Sequence, residues 1–245
     1  DLASLKELLL SPKKIESSYD YYEINKYCSK SNFTIAVADD NAFHFSYPET
    51  KECIHKLGFS IIKWSPLKDE PVPKEAKGII LPGGFPEQHA YELSNCKRSI
   101  KSLKESFMRL PIYAECGGML LLGQEIYDEN GQPHKMAGLL PFNSKKGRLK
   151  VGYRSMRAIN NNLILNLNEK VLGHEFHRWE LSSKTFPNHS NYNVNTPWEV
   201  KGWEGKRIKE GWGNDLLHAS WIHLHWPTNP KILNKWSSSI IRVKI

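Results

Sequence analysis

Pro111-Ile112-Tyr113-Ala114-Glu115-Cys116-Gly117-Gly118-Met119-Leu120-Leu121-Leu122 is the stretch on which the reading of this chain turns. Pro111 to Ala114 suits a short buried strand, and Met119 to Leu122 opens a helix. Only Glu-Cys-Gly-Gly lies between them. So sharp a passage from strand to helix needs small neighbours, because the residue at its apex is strained and leaves no room for adjacent Cβ atoms. Cys116 is therefore expected at the carboxyl end of a strand, its thiol pointing out of the sheet. It would also sit at a helix N-terminus, whose dipole favours thiolate over thiol. Cysteine is among the most often buried residue types, and most are inert. The paired glycines and the strand–turn–helix setting outweigh that bland reading for Cys116. Cys28, Cys53 and Cys96 have no such setting and read as packing residues.

Working outward, Thr34-Ile35-Ala36-Val37-Ala38, Ser60-Ile61-Ile62-Lys63-Trp64 and Gly78-Ile79-Ile80-Leu81 read as strands. A helical stretch around Thr50 to Leu57, ended by Gly58, separates the first two. A long amphipathic segment from Tyr91 to Leu110, with Ile100, Leu103, Phe107 and Leu110 on one face, follows the third. This alternation predicts an α/β fold built on an open, mainly parallel sheet, and continuous apolar strands agree with helices covering both faces. Beyond Gly131, the runs Met136–Pro141, Val151–Ile159, Leu163–Leu167, Val171–Glu180 and Leu216–Trp226 alternate with Asn- and Gly-rich turns. They are expected to add strands to the sheet, some antiparallel. Residues 1–31 look different: Leu2, Leu5, Leu8 and Leu9 keep helical spacing until Ser11-Pro12, which suggests a helix and linker trailing from a preceding domain.

Composition narrows the function. The 245 residues carry 34 Lys+Arg against 26 Asp+Glu, a net charge of +8. That balance allows an anionic partner, but only Lys145-Lys146-Gly147-Arg148-Leu149-Lys150 is a compact basic cluster. It reads as a solvated loop, so nucleic-acid binding is the weakest reading. No apolar run approaches the roughly 20 residues of a membrane span, and the first residues do not read as a secretory signal. Four cysteines without a CxxC pair suit reduced thiols in a cytoplasm. No GxxxxGK[ST] occurs, so a P-loop for ATP is not expected in this chain.

Pro82-Gly83-Gly84-Phe85-Pro86-Glu87 ends the strand beside the one that leads to Cys116. Read jointly with Cys116, it suggests an oxyanion hole from the amides of Gly84 and of Gly117. A thiol nucleophile also needs a base, and ten histidines compete. In Ala219-Ser220-Trp221-Ile222-His223-Leu224-His225-Trp226 an extended backbone puts His223 and His225 on one face. In Gly173-His174-Glu175-Phe176-His177 it puts His174 and His177 on opposite faces. These four lack the HExxH spacing and a convincing third ligand, so no metal is expected.

Taken together, these segments resemble one family. Ala36-Val37-Ala38-Asp39-Asp40-Asn41-Ala42-Phe43-His44-Phe45, Leu81-Pro82-Gly83-Gly84-Phe85-Pro86-Glu87, Tyr113-Ala114-Glu115-Cys116-Gly117-Gly118, Gly152-Tyr153-Arg154, Gly173-His174-Glu175-Phe176-His177 and Ala219-Ser220-Trp221-Ile222-His223-Leu224-His225 look like the C-terminal glutamine amidotransferase domain of cobyrinic acid a,c-diamide synthases, enzymes of cobalamin biosynthesis. The likeness runs from about Phe33 to Trp226. It implies a class I glutaminase on a flavodoxin-like sheet, with Cys116 as nucleophile, His223 as the histidine that activates it, and Gly84 and Gly117 at the oxyanion hole. Glu115, His174, Glu175 and His225 are further candidates for the site.

By the same resemblance, residues 1–31 would be the tail of a missing ATP-binding domain and residues 32–245 the amidotransferase domain. The implied partners are glutamine, the corrinoid cobyrinic acid and a P-loop synthetase domain. Mg-ATP would belong to that domain, with no cofactor in this chain; self-pairing into a homodimer is left open. Two positions depart from the pattern. Asp39-Asp40 stands where relatives commonly show Arg-Asp, and His225 stands where many class I enzymes carry a carboxylate two residues after the histidine. The third triad member is thus unassigned, and a Cys–His dyad oriented by something else is one way to complete it. A cobyric acid synthase-like amidotransferase and a non-catalytic binding module of the same fold are the competing readings.

Overall fold

The computed structural model describes residues 33–182, 194–202 and 205–242; the expectation for residues 1–31 lies outside them. Apolar runs form β1 (Thr34–Ala38), β2 (Ser60–Trp64), β3 (Ala76–Leu81), β4 (Ile112–Glu115) and β12 (Leu217–Ser220). They lie parallel in the order β2-β1-β3-β4-β12, and β11 (Trp212–Asn214) adds an antiparallel edge to β12. This is the flavodoxin-like strand order expected for a doubly wound sheet. β4 and β12 are buried at every position, as strands covered on both faces should be.

Helix α1 (Pro48–Lys56) follows β1 and ends at Leu57-Gly58, with Gly58 at φ 81°. The C-terminal helix α5 (Pro230–Arg242) lies against β3. A Cβ on Gly78 would stand 2.3 Å from Ile240 Cδ1, so the glycine is the groove that receives that side chain. The segment expected as one long helix from Tyr91 is two, α2 (Ala90–Asn95) and α3 (Lys97–Ser106). The Cys96 amide turns back to the Leu93 carbonyl and its ψ reaches 71°, which interrupts the helix. Leu103 and Phe107 are buried as the periodicity required, and Ile100 and Leu110 are half-buried against the same core.

The later strands depart from expectation. Only β11 and β12 join the parallel sheet. β5 (Glu125–Tyr127), β6 (Pro133–Lys135), β7 (Asn143–Ala158), β8 (Lys170–Ser182), β9 (Trp198–Lys201) and β10 (Arg207–Glu210) build a second sheet around the long antiparallel β7–β8 ribbon. Met136–Pro141 is a loop rather than a strand. Its amides are captured by the turn at 121–124, with Met136 donating to Gln124 and Leu139 to Leu122. Leu163–Leu167 is also a loop: Asn162 Oδ1 takes the amides of Ile164 and Leu165, and Asn161 Oδ1 takes that of Leu167. After Ser220 the strand expected through Trp226 leaves the ladder, because Glu210 accepts the Trp221 amide and the Ser220 hydroxyl. Among the described residues no helix is long and apolar enough to cross a membrane, and Cys53, Cys96 and Cys116 are free thiols.

Candidate active site

The register places Leu81 beside Ala114 and Glu115 beside Ser220, so β3, β4 and β12 end side by side. Three chain segments leave the sheet there: Gly83-Gly84, Cys116-Gly117 and the 221–225 segment. A cavity of about 480 Å³ opens above them, with Phe45, Tyr47, Gly84, Cys116, His174 and His223 among its walls. Ligand crevices of doubly wound sheets lie at this carboxyl edge. A larger cleft of about 830 Å³ adjoins Arg109 and Leu216, which precede β4 and β12, and therefore lies at the other end of the sheet from Cys116.

Cys116 has φ 46° and ψ −112°, the strained apex that its glycine neighbours foretold. Its amide donates to the Ser220 carbonyl at 2.8 Å, and the short helix α4 (Gly117–Leu120) begins at once. The turn tolerates no side chain beside it: a Cβ on Gly118 would lie 2.1 Å from the Leu81 carbonyl oxygen. A Cβ on Gly84, at φ 156°, would lie equally close to the Ala42 carbonyl oxygen. The Gly117 amide, first in its helix, is one that the helix cannot pair internally.

His223 is 3% exposed and is held from several sides. Its backbone forms an antiparallel bridge to His174, with amide–carbonyl distances of 2.8 and 3.1 Å. The His174 ring stacks on it at 5.1 Å, and Phe45 meets it edge-on at 4.9 Å. Nδ1 lies 3.3 Å from Glu115 Oε2, and the ring lines the same cavity as the Cys116 thiol, whose sulfur lies 4.0 Å from the Phe176 carbonyl oxygen. Burial alone would lower the His223 pKa. The adjacent Cys116 sulfur and Glu115 carboxylate outweigh it and push the ring up to about 10. Glu115 shows the converse: burial would raise its pKa, but hydrogen bonds from His223, Tyr113 and the Leu224 amide hold it below the ordinary carboxylate range. Burial and the neighbouring imidazolium keep His174 less basic than an ordinary histidine.

Cys116, His223, Gly84 and His174 line the cavity, with Gly117 next to the sulfur and Glu115 against the His223 ring. His225 does not face the sulfur; it packs edge-on against Tyr47 at 5.1 Å. Glu175 adjoins the cavity, but its carboxylate is committed to Arg154 and, at 3.4 Å, to His177, which stacks on Trp221. His174 and His177 do face opposite sides of β8, and among the described residues no three His, Cys, Asp or Glu side chains gather in metal-ligating geometry. Tyr47, whose hydroxyl lies 3.1 Å from His174 Nδ1, is a wall residue that sequence reasoning missed. It belongs to no motif, and only the fold brings it there.

The model of the CobB/CobQ-like glutamine amidotransferase domain matches residues 34–231. The chain is 33% identical over 216 residues to the cobyrinate a,c-diamide synthase of Salmonella typhimurium, covering 87% of this chain and 46% of that protein. It is 36% identical over 197 residues to the enzyme of that name from Gloeobacter violaceus, covering 79% and 40%. To the hydrogenobyrinate a,c-diamide synthase of Streptomyces coelicolor it is 32% identical over 204 residues, covering 82% and 39%. The chain thus spans somewhat less than half the length of these curated relatives. Among solved structures, PurLQS from Thermotoga maritima superposes with a TM-score of 0.56 at 16% identity, over 86% of this chain and 98% of that one. A glutamine amidotransferase from Thermotoga maritima gives 0.54 at 11%, over 88% and 86%. At such identities these two likenesses speak for the fold alone. With the match running from β1 into α5, across every segment that meets at the cavity, this chain belongs to the CobB/CobQ-like glutamine amidotransferase family.

Proposed function

We propose that the chain is the glutaminase part of a cobyrinate a,c-diamide synthase, with Cys116 as nucleophile and His223 as its proton carrier. The observation that carries this reading is that a thiol on a strained strand-to-helix turn and a buried imidazole held by a carboxylate line one cavity at the carboxyl edge of the sheet. The sulfur attacks the side-chain amide carbon of glutamine, and the amides of Gly84 and Gly117 receive the developing oxyanion. His223 gives its proton to the nitrogen as the C–N bond breaks and ammonia leaves. Water then attacks the γ-glutamyl thioester with His223 as base, releasing glutamate and restoring the thiolate. Losing one oxyanion donor in such a step costs roughly 10²–10³ in rate.

The ammonia would amidate the a- and c-acetate carboxylates of a corrinoid in a synthetase domain that uses Mg-ATP. The names of the relatives, and the additional length of each beyond the part matched by this chain, support that partner and substrate.

Glutamine hydrolysis and labelling by a glutamine-analogue electrophile test the reading. Cys116→Ala is expected to abolish both, and retained labelling would place the nucleophile elsewhere. His223→Ala is expected to cripple turnover far more than His225→Ala, because His225 is packed on Tyr47; the opposite ranking would overturn the assignment.

A further inference from the structure

We propose that Glu115, the residue immediately before the nucleophile, is the carboxylate that orients His223 and thereby completes the triad. The proposal rests on Cys116 and His223 being the reacting pair. In a regular strand, neighbours point to opposite faces, so 115 and 116 would not meet one partner. The positive φ of Cys116 breaks that alternation at the end of β4: Glu115 reaches the His223 ring, and Cys116 lines the same cavity as that ring.

Glu115 is built for this position. One oxygen lies 3.3 Å from His223 Nδ1; the other accepts the Leu224 amide at 2.9 Å and the Tyr113 hydroxyl. It therefore grips both the ring of His223 and the peptide that follows it. Its side chain is 8% exposed, and among the described residues its only ion-pair partner is that imidazole. A buried carboxylate is costly, and a partner that is an ion only when protonated makes it a poor stabilising device. A carboxylate at Nδ1 fixes the proton there and leaves Nε2 as the nitrogen for sulfur and leaving group, which is what a triad carboxylate does. The position two residues after the histidine cannot serve, since His225 is turned to Tyr47. Among the described residues, the rings packed on His223 are those of His174 and Phe45, and no carboxylate other than Glu115 forms an ion pair with it.

Glu115→Gln in the whole protein is the test, because it keeps the shape and an acceptor for the Leu224 amide while removing the charge. The expected result is a fall in glutaminase kcat of roughly 10²–10⁴-fold, the scale of losing a triad carboxylate in a serine protease. KM for glutamine should stay within about threefold, since the carboxylate does not bind substrate, and the His223 ring titration, followed by NMR, should move down from about 10. Tyr113→Phe, which removes one donor to Glu115 and keeps the ring, should move kcat and that titration in the same direction by a smaller amount. A folded Glu115→Gln variant with kcat within threefold of wild type overturns the proposal. If Glu115→Gln does not fold, unchanged kcat and His223 titration in Tyr113→Phe overturn it instead. Activity lost in Cys116→Ala but kept in Glu115→Gln sinks this inference alone; activity kept in Cys116→Ala sinks the reading beneath it.

Discussion

A methyl group at position 118 would have nowhere to go. The ideal Cβ stands 2.1 Å from the Leu81 carbonyl oxygen and 2.7 Å from that of Pro82, and both are backbone atoms that cannot swing aside. Gly118→Ala should therefore move the turn that carries Cys116. The expected outcome is a loss of about 1–3 kcal/mol in denaturant unfolding, together with labelling of Cys116 slowed at least tenfold. A variant that labels at the wild-type rate would show that the elbow can relax without moving the sulfur. At this scale the sequence was informative where composition and spacing encode strain. Gly-Gly after a cysteine announces the turn, and an isolated His-x-His offers a base. The pairing of Glu115 with His223 was not legible, because strand alternation argues against two adjacent side chains serving one site, and only the φ of Cys116 reverses it.

Elements were legible where hydrophobic runs agreed with the main-chain hydrogen bonding. They were misread where a side chain took those bonds instead. Leu163, Ile164 and Leu165 are fully buried and look like a strand, yet Asn162 Oδ1 holds the amides of Ile164 and Leu165 in a loop, and its amide group donates to the Asn160 carbonyl. Asn162 is 1% exposed, so deleting it leaves the Ile164 and Leu165 amides without their acceptor. Asn162→Ala is expected to cost about 2 kcal/mol in urea unfolding, while glutamine turnover at a temperature well below the transition stays unchanged, because the loop does not line the cavity. A variant as stable as wild type would mean that the loop is held by its leucines alone. Likewise, periodicity ran through Cys96 without a break, although its amide turns back and splits one expected helix into two. The β7–β8 ribbon was visible as two long runs but not as a separate sheet, since pairing partners are a property of the fold rather than of either segment.

Across the whole molecule, buried titratable groups pull stability in opposite directions with pH. His218, on β12 next to the site, is fully buried; its ring stacks on Tyr113 at 4.7 Å and meets Trp198 edge-on at 5.5 Å. Neither ring nitrogen has a hydrogen-bond partner among the described residues. Burial lowers its pKa to about 4, against only a weak opposing pull from Glu115. The unfolded chain takes up this proton near the ordinary histidine pKa and the folded chain does not. The stability present above about pH 6.5 is therefore lost as the pH falls toward 4. Burial acts oppositely on Glu87 and Glu210, raising both to about 7, so the folded state gains relative stability as these carboxyls take up protons below that value. His223 works at the other end: its raised pKa gives stability that is complete below about 6.5 and lost as pH rises toward 10. Because these contributions overlap, the total curve cannot isolate one of them, whereas a difference between two proteins can. His218→Phe keeps an aromatic ring against Tyr113 and removes the proton site, so its stability relative to wild type should increase by about 2 kcal/mol between pH 7 and pH 5. Urea unfolding at the two pH values measures that difference, and an unchanged difference would mean that the folded state accommodates a charged His218 after all.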